Sequence, residues 1–157
     1  MPLYCFDTNV FIEPWNKYYR PDLMPDYWEY IAELGRQNTI FCPEEVEREI
    51  HRQKDDLSEW LKVNKHIVRA ITPDIQKKVR EVLKLYPAII NVGKGRSMAD
   101  PWVIAHAWHE KCVVVTKETP AGNDAKCRIP DVCKHLHIDC IDDFEFVRRE
   151  KIKFQKI

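Results

Sequence analysis

Two carboxylates of this sequence closely follow runs of apolar residues that are typical of buried strands. Asp7 comes directly after Leu3–Phe6, and Glu118 lies three residues after Cys112–Val115. If these strands are parallel, their carboxyl ends share one edge of a sheet, which is where parallel sheets bind their ligands. The pattern therefore predicts that Asp7 and Glu118 lie near each other.

Two further acids lie in segments with helical patterns. Glu49 falls in the first turns of a helix that follows Pro43, and Asp100 stands directly before Pro101. Glu45 lies one turn before Glu49 and on the same side of that helix, so the pattern leaves open which of the two serves a site. Asp100 reaches the same sheet edge only if the amino end of its helix faces that way.

A pocket that collects several carboxylates has a definite chemistry. The carboxylates cannot all stay ionised unless a cation joins them. Oxygen ligands suit a hard divalent ion, Mg²⁺ or Mn²⁺, which typically keeps several waters. Such an ion lowers the pKa of a bound water and neutralises charge on a phosphate group. The acids therefore predict hydrolysis of a phosphodiester, with Mg²⁺ or Mn²⁺ as the cofactor.

The segments that must position these acids alternate between strand and helix patterns. Because strands separated by helices need crossover connections, the sheet is predicted to be parallel with helices on both faces, an α/β fold. Strands are predicted at Leu3–Phe6, Thr39–Cys42, Cys112–Val115 and Ile138–Ile141. Helices are predicted at Asp26–Gly35, after Pro43, near Ser58, from Thr72 to Pro87, and from Pro101, Ile129 and Asp142 or Asp143.

The composition limits the class of protein. The chain has 157 residues of which 45% are hydrophobic, which favours one folded domain over residues 1–157 and excludes disorder. Lys and Arg number 25 against 25 Asp and Glu, so overall charge does not attract nucleic acid. No secretory leader is recognised, and no apolar stretch approaches the roughly 20 residues that span a bilayer. Six scattered cysteines fit reduced, buried thiols, and we expect a cytoplasmic protein without membrane contact.

Four segments, in order, resemble the motifs of the PIN-domain ribonuclease family. The resemblance covers nearly the whole chain and is greatest to VapC-like toxins and to an uncharacterised PIN-like branch in which residues 129–133 (IPDVC) follow the fourth motif. One departure is that Glu118 stands where the family has Asp, and Asp124 is the nearest alternative. The four segments are residues 6–12 (FDTNVFI), 43–50 (PEEVEREI), 99–105 (ADPWVIA) and 114–118 (VVTKE).

The resemblance implies a three-layer α/β/α sandwich with a central, mostly parallel sheet. It also implies a metal-dependent endoribonuclease that acts on single-stranded RNA. Asp7, Glu49, Asp100 and Glu118 would be both its catalytic residues and its metal ligands. Proteins of this kind are commonly toxins of toxin–antitoxin pairs, so an antitoxin protein and a second copy of the chain are the expected partners besides RNA.

Four further residues are candidates for binding the substrate. Asn9 is expected to form a hydrogen bond within the site or to the scissile phosphate, and Thr116 to support a ligand or contact phosphate. Lys117 and Arg96 lie in loops near the predicted sheet edge, where a cation would contact the RNA backbone.

Other functions remain open from the sequence alone. Because Glu118 departs from the family pattern, a catalytically silent PIN-fold module that binds RNA or a protein is the main alternative. Choice of RNA over DNA follows from the resemblance and from no residue pattern. Cys133, His135, His137 and Cys140 lie close together, but their spacing lacks the paired CxxC of structural zinc sites.

Overall fold

The computed structural model describes residues 2–90, 98–121 and 127–154. Strands and helices alternate along the chain, with short 3₁₀ turns at Lys65–Ile67 and Pro87–Ile89. The strands are β1 (Tyr4–Phe6), β2 (Ile40–Pro43), β3 (Val68–Arg69), β4 (Val113–Val115) and β5 (Cys140–Ile141). The helices are α1 (Asn9–Asn16), α2 (Pro25–Arg36), α3 (Glu44–Arg52), α4 (Asp56–Val63), α5 (Pro73–Leu85), α6 (Asp100–Glu110), α7 (Ile129–His135) and α8 (Asp143–Arg149).

The five strands form one sheet in the order β3-β2-β1-β4-β5, and each neighbouring pair is parallel. The central strand is β1, where Tyr4 lies opposite Ile40 on one side and Val113 on the other. The first three strands extend from β1 in one direction and the last two in the other. The chain therefore reverses direction between β1 and β4, and ligands bind beyond the strand ends at such a point. The predicted α/β fold with a parallel sheet is confirmed.

Helices cover both faces of this sheet. Successive side chains of a strand point to opposite faces, so Cys5 faces one way and its neighbours in β1 the other. The Cys5 thiol lies 3.9 Å from the backbone oxygen of Val103 in α6. On the opposite face, the rings of Tyr4 and Phe6 contact Phe146 of α8, with ring centroids 4.8 and 5.0 Å apart. These contacts build the three layers of an α/β/α sandwich.

Two observed elements and one helix end differ from the sequence prediction. The strand β3 has only two residues, too few for an apolar run to indicate it. Helix α1 was not predicted, and it contains Pro14, which lacks an N–H and normally disrupts a helix interior. Gly35 was expected to end α2, but the helix continues to Arg36. The reversal instead uses Asn38, whose φ of 58° lies in the left-handed region that Asn tolerates.

Side-chain caps fix the start of helices that lead away from the strands. The Thr72 hydroxyl accepts a hydrogen bond from the backbone N–H of Ile75 at 3.3 Å. The Asp142 carboxylate accepts one from Glu145 at 2.8 Å. Each cap satisfies a backbone donor that has no partner within its helix. These caps confirm the predicted starts of α5 and α8.

The thiols agree with the expectation of buried, unpaired cysteines. All six are free, and five of them are buried, whereas Cys140 is half-buried. Within the described part of the chain, no helix has the length and apolar character that crossing a membrane requires.

Candidate active site

A pocket of about 390 Å³ lies beyond the carboxyl ends of β1 and β4, where the chain reverses direction. The four acids predicted from the sequence all line it, although they come from four separate segments of the chain. The lining residues are Asp7, Thr8, Asn9, Ile12, Glu13, Asn16, Lys17, Glu49, Asp100 and Glu118.

Asp7 lies at the base of this pocket with only 2% of its surface exposed. Its backbone N–H donates to Val115 at 3.0 Å, which extends the pairing of β1 and β4 by one residue. The Thr8 backbone N–H donates to one carboxylate oxygen at 2.8 Å. The Thr116 hydroxyl donates to the other at 2.7 Å. The sheet and these two donors therefore hold the carboxylate in one orientation.

Burial raises the pKa of Asp7 from its ordinary 3.8 to about 7. The negative charges of Glu118 and Glu49 also contribute to this increase in pKa, whereas the hydrogen bonds from Thr116 and Thr8 oppose it. Desolvation and like charges both disfavour the ionised form, and donors that bind the carboxylate favour it. The pocket therefore has an excess of negative charge that a bound cation would relieve.

Two other acids of the pocket contact the amino ends of helices. Glu49 accepts a hydrogen bond from the backbone N–H of Ala99 at 3.0 Å, directly before α6. Glu118 accepts one from Ile129, the first residue of α7, at 3.1 Å. Asp100, which begins α6, is 1% exposed. The amino ends of α6 and α7 therefore face the pocket. For α6 this is the orientation that allows Asp100 to reach the sheet edge.

The two rival glutamates of α3 lie differently with respect to the pocket. Glu45 forms an ion pair with Arg48 and does not line the pocket, whereas Glu49 does. The rival to Glu118, Asp124, lies outside the described residues, as does Arg96.

Asn9 and Thr116 connect the segments that follow β1 and β4. The Asn9 side-chain oxygen accepts a hydrogen bond from the backbone N–H of Lys117 at 3.0 Å. Its amide nitrogen donates to the Thr116 hydroxyl at 3.4 Å. The Thr116 hydroxyl also accepts from the backbone N–H of Glu118 at 3.2 Å. These bonds position Asp7 and Glu118 relative to each other.

The side chain of Lys117 does not line the pocket. Its ammonium lies 2.8 Å from a carboxylate oxygen of Asp143, which is fully buried at the start of α8. It also lies 4.2 Å from the ring centroid of Phe144 and 5.3 Å from that of Tyr18. The Tyr18 hydroxyl donates to the same Asp143. The structure thus assigns Lys117 to an internal ion pair rather than to the pocket surface.

Sequence analysis missed three polar pocket residues that belong to α1 or directly follow it: Glu13, Asn16 and Lys17. Their spacing from Asn9 could have indicated them, because residues 9, 12, 13 and 16 recur at helical intervals on one face. Buried Val10, Phe11 and Pro14 occupy the other face. Recognising this helix depended on accepting Pro14 within it.

The pocket offers ligand atoms that suit a hard divalent cation. They are oxygen atoms, most of them from carboxylates, which Mg²⁺ and Mn²⁺ prefer. Among the described residues, no three His, Cys, Asp or Glu side chains stand close enough to form a ready metal site. The cysteines and histidines near α7 therefore do not form one either. Mg²⁺ usually takes one or two carboxylates and completes its shell with water. A pocket whose carboxylates surround open space fits that mode of binding.

We predict that Thr116→Val raises the pKa of Asp7 above about 7, because the variant removes a hydrogen bond that stabilises the carboxylate. The measurement is an NMR titration of the Asp7 side-chain carbon in the metal-free protein. Thr116→Ser keeps the hydroxyl and should leave the pKa near that of the wild type. Equal pKa values in the Val and Ser variants would contradict the assignment.

Known proteins resemble this chain in structure, and one family model matches its sequence. A chain of VapBC2 from Rickettsia felis, solved bound to a DNA fragment from their promoter, is similar in structure with a TM-score of 0.51 and 19% sequence identity. The similarity covers 89% of this chain and 98% of that chain, and it agrees with the PIN-like fold that the motifs predict. No curated protein matches the sequence. A family model matches residues 4–154, and the chain belongs to that family, described as a domain of unknown function, DUF4411.

Proposed function

We propose that this protein is a metal-dependent endoribonuclease that hydrolyses phosphodiester bonds of single-stranded RNA. The observation that carries the proposal is the meeting of Asp7, Glu49, Asp100 and Glu118 around one pocket at the switch point of a parallel sheet. The preference for RNA over DNA comes from the resemblance of the four motifs to PIN-domain ribonucleases.

The four acids are the residues that would hold Mg²⁺ or Mn²⁺. When bound, the ion would supply an activated water and neutralise charge on the phosphate. Asp7 binds a cation only in its ionised form, which the Thr116 hydroxyl favours. We therefore assign Thr116 a positioning role, in which it orients Asp7 and keeps the carboxylate available at neutral pH.

The proposal extends to a biological role as the toxin of a toxin–antitoxin pair. The similar chain from Rickettsia felis comes from the complex named VapBC2, solved with DNA from the promoter of its components. By the resemblance of the four motifs to PIN-domain toxins, a partner protein would control the pocket, and the active form would be a cytoplasmic homodimer. The analogy with that chain concerns the fold alone, whereas the proposed chemistry follows from the acids of the pocket.

The test is cleavage of labelled single-stranded RNA by wild type and by Asp7→Asn in Mg²⁺, in Mn²⁺ and in EDTA. We expect cleavage that requires the ion and falls by roughly 100-fold or more in Asp7→Asn, since even the outer-shell partners of metal ligands are worth about 10–100-fold. Glu29→Gln removes an exposed carboxylate on α2, away from the pocket, and is the matched control.

Two results would count against this function. Equal cleavage by the wild type and Asp7→Asn would show that the activity comes from another site or from a contaminant. RNA bound without any cleavage, over several sequences and with either metal, would favour a catalytically silent binding module.

A further inference from the structure

The pocket has a strong imbalance of charge. Among its described lining residues Lys17 is the one cation, and it stands against five acids. A strand of RNA entering this pocket brings further negative charge, so a cation at the pocket wall would favour its entry. The five acids are Asp7, Glu13, Glu49, Asp100 and Glu118.

Lys17 is placed on the pocket by the way α1 leaves the sheet. The helix starts two residues after Asp7, and Lys17 directly follows its last residue, Asn16. The backbone N–H of Lys17 donates to Glu13 at 3.0 Å, which completes the last turn. This bond fixes the backbone of Lys17 at the pocket wall, at the opposite end of α1 from Asp7.

The ammonium of Lys17 remains available to a ligand. Among the described residues it pairs with Glu13, 3.2 Å away. The side chain of Lys17 is 68% exposed and that of Glu13 is 32% exposed. Exposed pairs of this kind on one helix contribute little to stability, so a phosphate can replace Glu13 as the partner.

Two other cations near the pocket have internal partners. The Lys117 ammonium forms an ion pair with the buried Asp143 and lies outside the pocket. The Arg128 guanidinium donates to the backbone oxygen of Thr119 at 3.3 Å. Of the described cations, Lys17 is therefore the one both exposed and on the pocket wall.

We propose that Lys17 binds a backbone phosphate of single-stranded RNA held in the pocket, and that Glu13 holds the ammonium there when RNA is absent. The inference rests on the proposed function for the class of substrate. It adds a substrate-binding residue that directly follows α1 and is neither one of the acids nor one of the residues that support them.

The experiment measures binding of a labelled single-stranded RNA in Mg²⁺ over a range of salt concentrations. All proteins carry Asp7→Asn, so that the RNA stays intact. Adding Lys17→Met should flatten the slope of log K against log salt by about 0.7 and weaken binding by about 5-fold near 0.1 M salt, the loss expected for one phosphate contact on a single strand.

Two further variants separate contact with phosphate from a structural role. Lys62 is 57% exposed and pairs with Glu59 at 3.0 Å on α4, so Lys62→Met is the matched control and should change neither slope nor affinity. Glu13→Gln should tighten binding, because it removes a competing carboxylate. If Lys17 acted only by stabilising α1 through Glu13, Glu13→Gln would weaken binding as Lys17→Met does.

The outcomes distinguish this inference from the proposed function. Equal slopes for Lys17→Met and Lys62→Met would overturn the inference, whether or not the wild type cleaves RNA. A wild type that cleaves nothing, combined with the expected loss in Lys17→Met, would overturn the nuclease and keep Lys17 as an RNA contact. Absence of RNA binding by Asp7→Asn at low salt, together with neither binding nor cleavage by the wild type in Mg²⁺, would overturn the inference.

Discussion

Asp7→Asn is expected to make the metal-free protein more stable above pH 7. The folded-state pKa of Asp7, about 7, exceeds its ordinary value of 3.8. The stability that Asp7 contributes is therefore present in full below about pH 4 and is lost as the pH rises through 7. The difference between the two pKa values corresponds to roughly 4 kcal/mol. Asn keeps the shape of the side chain and carries no charge, so it avoids this loss.

The measurement is urea denaturation of both proteins in EDTA at pH 4 and pH 8. The two free energies of unfolding should agree closely at pH 4, and Asp7→Asn should be the more stable protein at pH 8. Glu29→Gln, an exposed acid-to-amide change, should follow the wild type at both values. A variant less stable than the wild type at pH 8 would contradict the raised pKa.

Adding Mn²⁺ at pH 8 should then narrow the difference in stability between the two proteins. A ligand that binds only the folded state stabilises it by about 2.7 kcal/mol at 100 times its Kd. We expect this gain in the wild type and its near absence in Asp7→Asn. Since Asp7 must lose a proton to bind the ion, the gain should increase between pH 6 and pH 8. A gain of equal size in both proteins would place the ion elsewhere.

Lys117→Met is expected to destabilise the protein by about 3–5 kcal/mol, the usual cost of removing one partner of a buried ion pair. Asp143 is fully buried. Without the ammonium, the hydrogen bond from Tyr18 is the side-chain contact that its carboxylate keeps among the described residues. The measurement is urea denaturation at pH 7. Lys62→Met, which breaks an exposed pair, should change stability by less than about 1 kcal/mol.

The double variant Lys117→Met/Asp143→Asn tests the cause of this loss. Removing both charges leaves no uncompensated buried carboxylate, so the double variant should be more stable than Lys117→Met alone. If the double variant is less stable than Lys117→Met, the aliphatic stem of Lys117 and its contacts with the aromatic rings account for the loss instead.

The sheet and the position of Asp7 could be predicted because their signals are local. An apolar run that ends in an acid marks the end of β1, and the helices between the strands require a parallel arrangement. Those two facts place Asp7 and Glu118 at one edge of the sheet. Glu49 and Asp100 needed the resemblance to known motifs, since a charged helix and a residue before proline each have ordinary explanations.

The remaining parts of the site depend on contacts between distant segments. Lys117 and Asp143 are 26 residues apart, and no pattern around either one indicates their pairing. Glu45 and Glu49 share one side of α3, and the hydrogen bond from Ala99 that distinguishes Glu49 comes from 50 residues away in the chain. The contribution of α1 was hidden by Pro14, which argues against a helix when the sequence is considered alone.

The hydrogen bonds of Glu49 and Glu118 to the amino ends of α6 and α7 have a consequence for how this family changes over time. Both acids help to hold helices in place, so selection for folding alone would retain them in a relative that has lost its chemistry. Asp7 is different, because its ionised form destabilises the metal-free fold, and the proposed metal binding is the function that would retain it. Mutation in such a relative would therefore replace Asp7 first. Among genome sequences of this family, the residue at this position should separate active members from inactive ones, whereas the two glutamates should not.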